Sequence, residues 1–355
     1  MSFGTHEGAR DGSSDLERAI DRALLSKSGD PLPGRAVVVA AGNEAGLRRH
    51  ARKTLPANGQ TTFRFTLEEF DYPNGARAIA RPQGNTIVGH DRIYIWYSDP
   101  ASVEIKVTPP SGVAEPADWT TFGDVRLTSR VAVSSGTTIP SNGKKLFVIT
   151  LWAPSMTGEW KIELRESGGA QAIVDAWVDR IGDPYTYPRF VYGDNVMNNT
   201  LTCPATAKTA IAVGGYICTP GPGEIQGGLY DQSSRGLDSA YGVKPQDTRP
   251  HILAPARRII SANNSSYVDE PRQAVLSRYS EGLQFHALMS GTSQAAPHVT
   301  GVIALMFQKN PKLTSPEILK ILTATADRRQ INIGLPNRDW GYGRLDARAA
   351  LAAVP

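Results

Sequence analysis

The chain has 355 residues, 40% of them hydrophobic and 20% charged, with 38 Lys and Arg against 34 Asp and Glu for a net charge of +4. That length accommodates one large domain and a smaller one, and the balance of apolar and charged residues excludes wholesale disorder. Basic pairs such as Arg48-Arg49, Arg257-Arg258 and Arg328-Arg329 are scattered along the chain, so no basic stripe or motif marks a nucleic-acid binder.

Two cysteines, Cys203 and Cys218, are too few for a disulfide framework, and they read either as one bridge or as two buried thiols. No basic region followed by an apolar run opens the chain, so no secretory signal is read there and the compartment stays unassigned. The most apolar stretch, Val299 to Met306, is too short to span a membrane, and the chain reads as soluble.

In chain order, Leu16, Ala19, Ile20, Ala23 and Leu24 recur at helical spacing. Ser14 and Glu17 match a capping box at the start of that helix, and Gly29 matches a stop. Arg35 to Ala41 is apolar almost throughout, as a strand covered on both faces of a parallel sheet must be, and it ends in Gly42-Asn43. Helix followed by buried strand predicts α/β architecture. From about residue 48 the texture changes to alternation. Phe63, Phe65 and Leu67 alternate with polar neighbours, as do Val103, Ile105 and Val107, and Trp160, Ile162 and Leu164. Short strands broken by Pro, Gly and Asn predict a β-sandwich or jelly roll over 48–182. After about residue 183 the α/β texture returns. Thr209 to Gly215 reads as a buried strand, and Ser293 opens a long helix with Ala296, Val299, Val302, Ile303 and Met306 on one face. Ser315-Pro316 starts another helix through Leu322, and a last one covers Leu345 to Ala352.

The chemistry concentrates in Ser290-Gly-Thr-Ser-Gln-Ala-Ala-Pro-His-Val-Thr-Gly301. A serine at a helix start sits among free backbone amides and the positive end of the helix dipole, which suits a nucleophile whose attack creates an oxyanion. Pro297 is expected in the first turns, where its missing N–H is harmless. Taken alone, Ser293 reads as a simple N-cap. The second candidate is Asn43, whose side-chain amide at a strand end can donate to a developing oxyanion; taken alone it reads as a turn residue.

Together these strings resemble the subtilase family of subtilisin-like serine proteases. The nucleophile motif is similar at Gly291, Thr292, Ser293, Ala295, Pro297, His298, Val299 and Gly301. Val37 to Asn43 resembles the strand that ends in the family's oxyanion asparagine, and Met1-Ser2-Phe3-Gly4 the strand end lining its substrate cleft. Asp11 to Leu25 fits the following helix, Pro204 to Gly215 a later core strand, Ser233 to Gly236 and Arg249 to Pro255 the approach to the serine, and Trp340 to Asp346 the closing motif. His251 stands where the family usually has aspartate and Ala256 where it usually has glycine, departures that bear on loop shape.

The resemblance implies a subtilisin-like parallel sheet with flanking helices over 1–47 and 183–355, lacking its N-terminal strands, interrupted at 48–182 by an all-β jelly-roll-like insertion. It implies a serine endopeptidase acting on proteins or peptides, with Ser293 and Asn43 as catalytic residues and no cofactor or metal. Ser2, Phe3 and Gly4, with Ala40, Ala41 and Gly42, would bind substrate as an extended strand, the specificity pocket lying between the two segments.

The family's aspartate and histidine motifs do not occur in the 42 residues before Asn43. Serine catalysis needs that base and its orienting carboxylate. None of His6, His50, His90, His251, His286 and His298 stands in a helix-opening, glycine-rich context. The expectation is a truncated form of a longer protease, inactive alone, with the missing pair supplied by an upstream segment or a second chain. The alternative is a non-catalytic pseudoprotease or protein-binding module. Ser141 to Lys144 matches an S-x-x-K string but contains the Asn-Gly turn signal. No G-x-S-x-G, zinc spacing or phosphate loop is found.

Overall fold

A computed structural model describes residues 1–69, 90–98, 101–135, 143–152, 157–180, 186–237, 244, 247–262 and 286–355. They divide into two compact units, one of residues 1–4, 10–46 and 198–355 and one of 5–9 and 47–197. In chain order the strands are β1 (Val38–Ala40), β2 (His50–Leu55), β3 (Gln60–Glu69), β4 (His90–Tyr97), β5 (Val103–Thr108), β6 (Thr120–Thr121), β7 (Val125–Leu127), β8 (Val131–Ser135), β9 (Lys145–Trp152), β10 (Gly158–Glu166), β11 (Ala172–Arg180), β12 (Thr186–Phe190), β13 (Ile211–Tyr216), β14 (Ile252–Pro255), β15 (Ile259–Ala262) and β16 (His286–Met289). The helices are α1 (Asp15–Leu24), α2 (Thr292–Lys309), α3 (Ser315–Ala324) and α4 (Ala347–Ala352). No helix among the described residues is long and apolar enough to cross a membrane.

The first unit is built on a parallel sheet in the order β1-β13-β14. Successive residues of β1 face opposite sides. Val38 and Ala40 join Ile211, Val213, Ile252 and Ala254 in a core completed by Val299, Ile303 and Met306 of α2 and Ile318 of α3. Val39 and Ala41 join Ala212, Leu201, Ala205, Ala207 and Ile20 of α1 on the other side. Burial on both faces is why these strands read as unbroken apolar runs. Each aliphatic side chain of α2 buried in this way contributes roughly 1.5–3 kcal/mol.

The helix caps follow local chemistry. Ser14 Oγ accepts from Glu17 N at 3.3 Å while Ser14 N donates to the Glu17 carboxylate at 3.1 Å. The face that α1 buries differs from the predicted one: Glu17, Ile20 and Leu24 are buried, whereas Leu16, Ala19 and Ala23 are exposed. The reason is that the Glu17 carboxylate has polar partners inside, accepting from the Thr206 hydroxyl as well as from Ser14. The helix ends at Leu24, and Gly29 serves the turn beyond it, its N–H donating to Ser26 O at 3.0 Å. The cap of α3 is Thr314, paired with Glu317, rather than Ser315. Asp346 caps α4.

The second unit is a two-sheet antiparallel sandwich. One sheet has the order β12-β3-β10-β5-β6 and the other β2-β11-β4-β9-β8-β7. Phe63, Phe65, Val103, Ile105, Trp160 and Ile162 from the first meet Ile93, Ile95, Val133, Phe147 and Val174 from the second in one core. Thr5 to Ala9 belongs to this unit: the Thr5 hydroxyl and the His6 N–H both donate to Asp179 at 3.2 Å, and Ala9 packs with Tyr94, Trp96 and Trp177. Asp194 holds the end of the unit, accepting from Lys53 Nζ and from Arg64 N. Ser141 and Asn142 of the S-x-x-K string lie outside the described residues.

Candidate active site

Ser293 is the second residue of α2, and Gly291 stands at the N-cap. Gly291 has φ 146°, a backbone conformation that favours glycine, and a Cβ there would lie 3.1 Å from Asn43 Nδ2 and 3.3 Å from Asn43 Oδ1. With no side chain at the cap, the first amide of the helix is taken by Asn43: Thr292 N donates to Asn43 Oδ1 at 2.8 Å. A donor on Oδ1 fixes the carboxamide in one orientation and turns Nδ2 away from it. Among the described residues Nδ2 makes no hydrogen bond. The next amide, that of Ser293, belongs to the helix turn whose N–H groups have no intrahelical acceptor.

Thr292, fully buried, ties the strand end to the helix. Its hydroxyl accepts from Gly42 N at 3.0 Å and lies 3.1 Å from Gly42 O. Gly42 has φ 106°, and a Cβ on it would lie 2.8 Å from both Ser234 Oγ and Thr202 Cγ2. Only glycine fits there.

Ser293 and Ser2 bond reciprocally. Ser293 Oγ donates to Ser2 O at 3.2 Å, and Ser2 Oγ donates to Ser293 O at 2.9 Å. The second bond is available because of Pro297. That proline is the sixth residue of α2, within its first two turns, and has no N–H for the carbonyl four residues earlier. That carbonyl is Ser293 O.

The remaining substrate-binding candidates gather at the same end of the sheet. Ala40 N donates to Met1 O at 2.9 Å, so the segment running into Ser2 pairs alongside β1. Phe3 is exposed, and Gly4 packs on the Thr202 side chain. Ala40 and Ala41 are buried. The backbone of Ala41 is engaged by Val213 O at 2.8 Å and Thr202 N at 2.9 Å, and Gly42 O accepts from Ser234 N at 2.9 Å. Ser2 to Gly4, Ala40 to Gly42, Asn43 and Ser293 thus meet at the tip of β1 and the mouth of α2. Thr202, between the two glycines, was not among the candidates, because a threonine between Leu201 and Cys203 carries no motif.

Behind the site, Ser290 Oγ accepts from Arg258 N at 3.0 Å and from Arg257 Nη1 at 3.2 Å. Arg257 Nε pairs with Glu224 at 2.7 Å. Burial pushes the Glu224 carboxyl up, but the Gly221 amide and Arg257 outweigh it and hold the group below its usual range.

Among the described residues, no histidine bonds Ser293 Oγ. Within the same unit, His298 Nδ1 is 2.8 Å from Gln294 O on its own helix, and His286 lies in β16, paired with Ala262 of β15. His251 lies in the loop just before β14, as read from the sequence, but it is buried, its Nδ1 accepting from Ala212 N at 2.9 Å. Burial first, and then Arg249, push its pKa down to about 3. His50 belongs to the sandwich, with Nε2 2.7 Å from Asp175 Oδ1 and its ring stacked on Trp177. His6 also lies in the sandwich unit and is buried there, and His90 begins β4. Cys203 and Cys218 are separate free thiols, Cys203 buried with Sγ 3.1 Å from Ser14 Oγ. Among the described residues, no three His, Cys, Asp or Glu side chains converge as a metal site.

A profile of the subtilase family matches residues 192–343. The chain is 33% identical over 142 residues to the subtilisin-like protease SBT2.3 of Arabidopsis thaliana, a match covering 36% of this chain and 15% of the plant protein. It is 33% identical over 132 residues to the serine protease AprX of Bacillus subtilis (strain 168), covering 37% of this chain and 28% of AprX. These matches span less than a third of either relative's own length. Among solved structures, the CspB protease of Clostridium perfringens superposes on 99% of this chain and 65% of its own, with TM-score 0.70 and 22% identity, a likeness of fold. Residues 192–343 thus match the subtilase family, and the chain shares the fold of a subtilisin-like protease.

Proposed function

We propose that this chain provides the nucleophile and oxyanion hole of a serine endopeptidase of the subtilase type. The observation that carries the reading is the bond from Thr292 N to Asn43 Oδ1, which seats an oriented carboxamide one residue from Ser293 at a helix mouth. Ser293 Oγ attacks the peptide carbonyl carbon. The carbonyl oxygen, now an anion, accepts from Asn43 Nδ2 and from the Ser293 amide. The serine proton passes to a base, and the leaving amine takes it back as the peptide C–N bond breaks. The substrate pairs along Ser2 to Gly4, while Ala40 to Gly42, whose amides and carbonyls are largely engaged, form the wall beneath it. Before attack, the Ser293 hydroxyl must leave Ser2 O.

The base and its carboxylate come from outside these 355 residues, from an upstream segment or a second chain. A fluorophosphonate probe tests this. Ser293 should label slowly in the chain alone and rapidly once the partner segment is restored. Rapid labelling of the chain alone contradicts an external base, and no labelling in either form contradicts the protease reading. The second reading, a non-catalytic binding module, draws on the Ser293–Ser2 pair, which occupies the hydroxyl. It predicts that the restored assembly binds peptides without labelling.

A further inference from the structure

Resting on that reading, we infer that Thr202 closes the specificity pocket and restricts the enzyme to peptides with a small residue, glycine, alanine or serine, immediately before the scissile bond.

A carbonyl attacked by Ser293 Oγ with its oxygen on Asn43 Nδ2 belongs to a residue lying between Ser2 and Asn43. The backbone of that residue runs along Ser2 to Gly4. Its side chain must then enter the gap between that segment and Ala40 to Gly42. Both sides of the gap contain a glycine, which in principle leaves it wide. In this chain the two glycines meet the same side chain. A Cβ on Gly42 would lie 2.8 Å from Thr202 Cγ2 and 2.9 Å from Thr202 Oγ1, and a Cβ on Gly4 would lie 2.6 Å from Thr202 Cβ. One threonine fills the space from one backbone to the other.

Thr202 is also fixed there. Its N–H donates to Ala41 O at 2.9 Å, and it is only 5% exposed. The floor of an open slot would be wetted when the slot is empty, and this one is not. The neighbouring Ala40 and Ala41 are 3% and 0% exposed. A methyl or a hydrogen fits above such a floor; a phenyl or isobutyl group requires the threonine to move against its backbone anchor, and packed interiors resist that.

Tripeptide boronic acids ending in the alanine or the phenylalanine analogue, which form a tetrahedral adduct on a serine oxygen, measure the preference by calorimetric Kd. Measured on the base-supplied assembly, the alanine compound should bind about 10–100-fold tighter, the usual scale for a pocket that rejects an oversized apolar group. Thr202→Gly should erase most of that difference by gaining affinity for the phenylalanine compound. Thr202→Ser, which loses one methyl and keeps the backbone anchor, should shift it part of the way even where the glycine variant folds poorly. Equal affinity for the two compounds in the unaltered chain overturns the inference. So does a failure to bind either one, and fluorophosphonate labelling then separates the cases: labelling of Ser293 leaves the protease reading standing without this pocket, and its absence removes both.

Discussion

His251 makes the first unit acid-sensitive in a calculable way. The imidazole is buried, neutral and bonded through Nδ1 to the Ala212 amide of β13, and its own backbone donates to Ala212 O at 2.9 Å. Burial, and then the nearby Arg249, hold the folded pKa at about 3, below the ordinary 6.5, and protonation would also set a new N–H against the Ala212 donor. The unfolded chain therefore takes up a proton first as pH falls. Stability from this group is complete above about pH 6.5 and declines as pH falls toward 3. Between pH 7.5 and 5.0 the linkage amounts to roughly 2 kcal/mol, close to 1.4 kcal/mol per unit over the interval below 6.5. His251→Asn retains an acceptor for Ala212 N and removes the titration. Urea unfolding of both forms at the two pH values isolates the effect, because other titrating groups cancel in the double difference. The unaltered chain should lose roughly 2 kcal/mol more than the variant. Equal losses, or an NMR titration of the His251 ring near 6.5 in the native protein, refute the reasoning.

Two further predictions follow from buried polar groups. The Glu166 carboxylate accepts from Asn58 N at 2.8 Å, Gly168 N at 2.6 Å, Gly169 N at 3.0 Å and Ser102 N at 3.3 Å. These amides, Asn58 foremost, pull its pKa down to about 2, so its contribution is present above about pH 4.5 and fades as pH falls toward 2. Glu166→Gln should lower the thermal midpoint at pH 7, with a gap to the unaltered chain that narrows in that acid range; a constant gap would argue against the charge. The Cys203 thiol is pushed up to about 12 by burial, with Glu17 adding to it. Iodoacetamide at pH 8 should therefore modify Cys218 in the native chain and reach Cys203 only on unfolding, as peptide mass spectrometry of partly alkylated samples would reveal; modification at equal rates would contradict this placement of Cys203.

Much of this architecture was legible in the sequence where one physical rule dominates. Alternation at Phe63, Phe65 and Leu67 marks a strand with one dry face, and all three are buried. The run before Asn43 reads as a strand covered on both sides because Val38 and Ala40 face one core and Val39 and Ala41 the other. The helix after Ser293 buries the expected Ala296, Val299, Val302, Ile303 and Met306. Misreadings arose where tertiary partners override local pattern. The stripe of α1 was misplaced because hydropathy cannot foresee a buried carboxylate satisfied by Ser14 and Thr206. Pro297 looked like a residue merely tolerated near a helix start, yet its missing N–H opens Ser293 O to Ser2, a partner 291 positions away. His251 does lie in the loop before β14, but its burial and acceptor bond to Ala212 could not be foreseen, because they exist only once β13 and β14 pair. Thr202 had no pattern at all; its place depends on two glycines brought together from distant segments.

The most direct test of the proposed chemistry is the rate at which a fluorophosphonate modifies Ser293 in the base-supplied assembly, compared between the unaltered chain and Asn43→Ala. Removing one oxyanion donor costs about 10²–10³ in rate where that donor stabilises the transition state. The account predicts a loss of that size with the fold retained, and no modification in Ser293→Ala. An Asn43→Ala rate equal to that of the unaltered chain would contradict it.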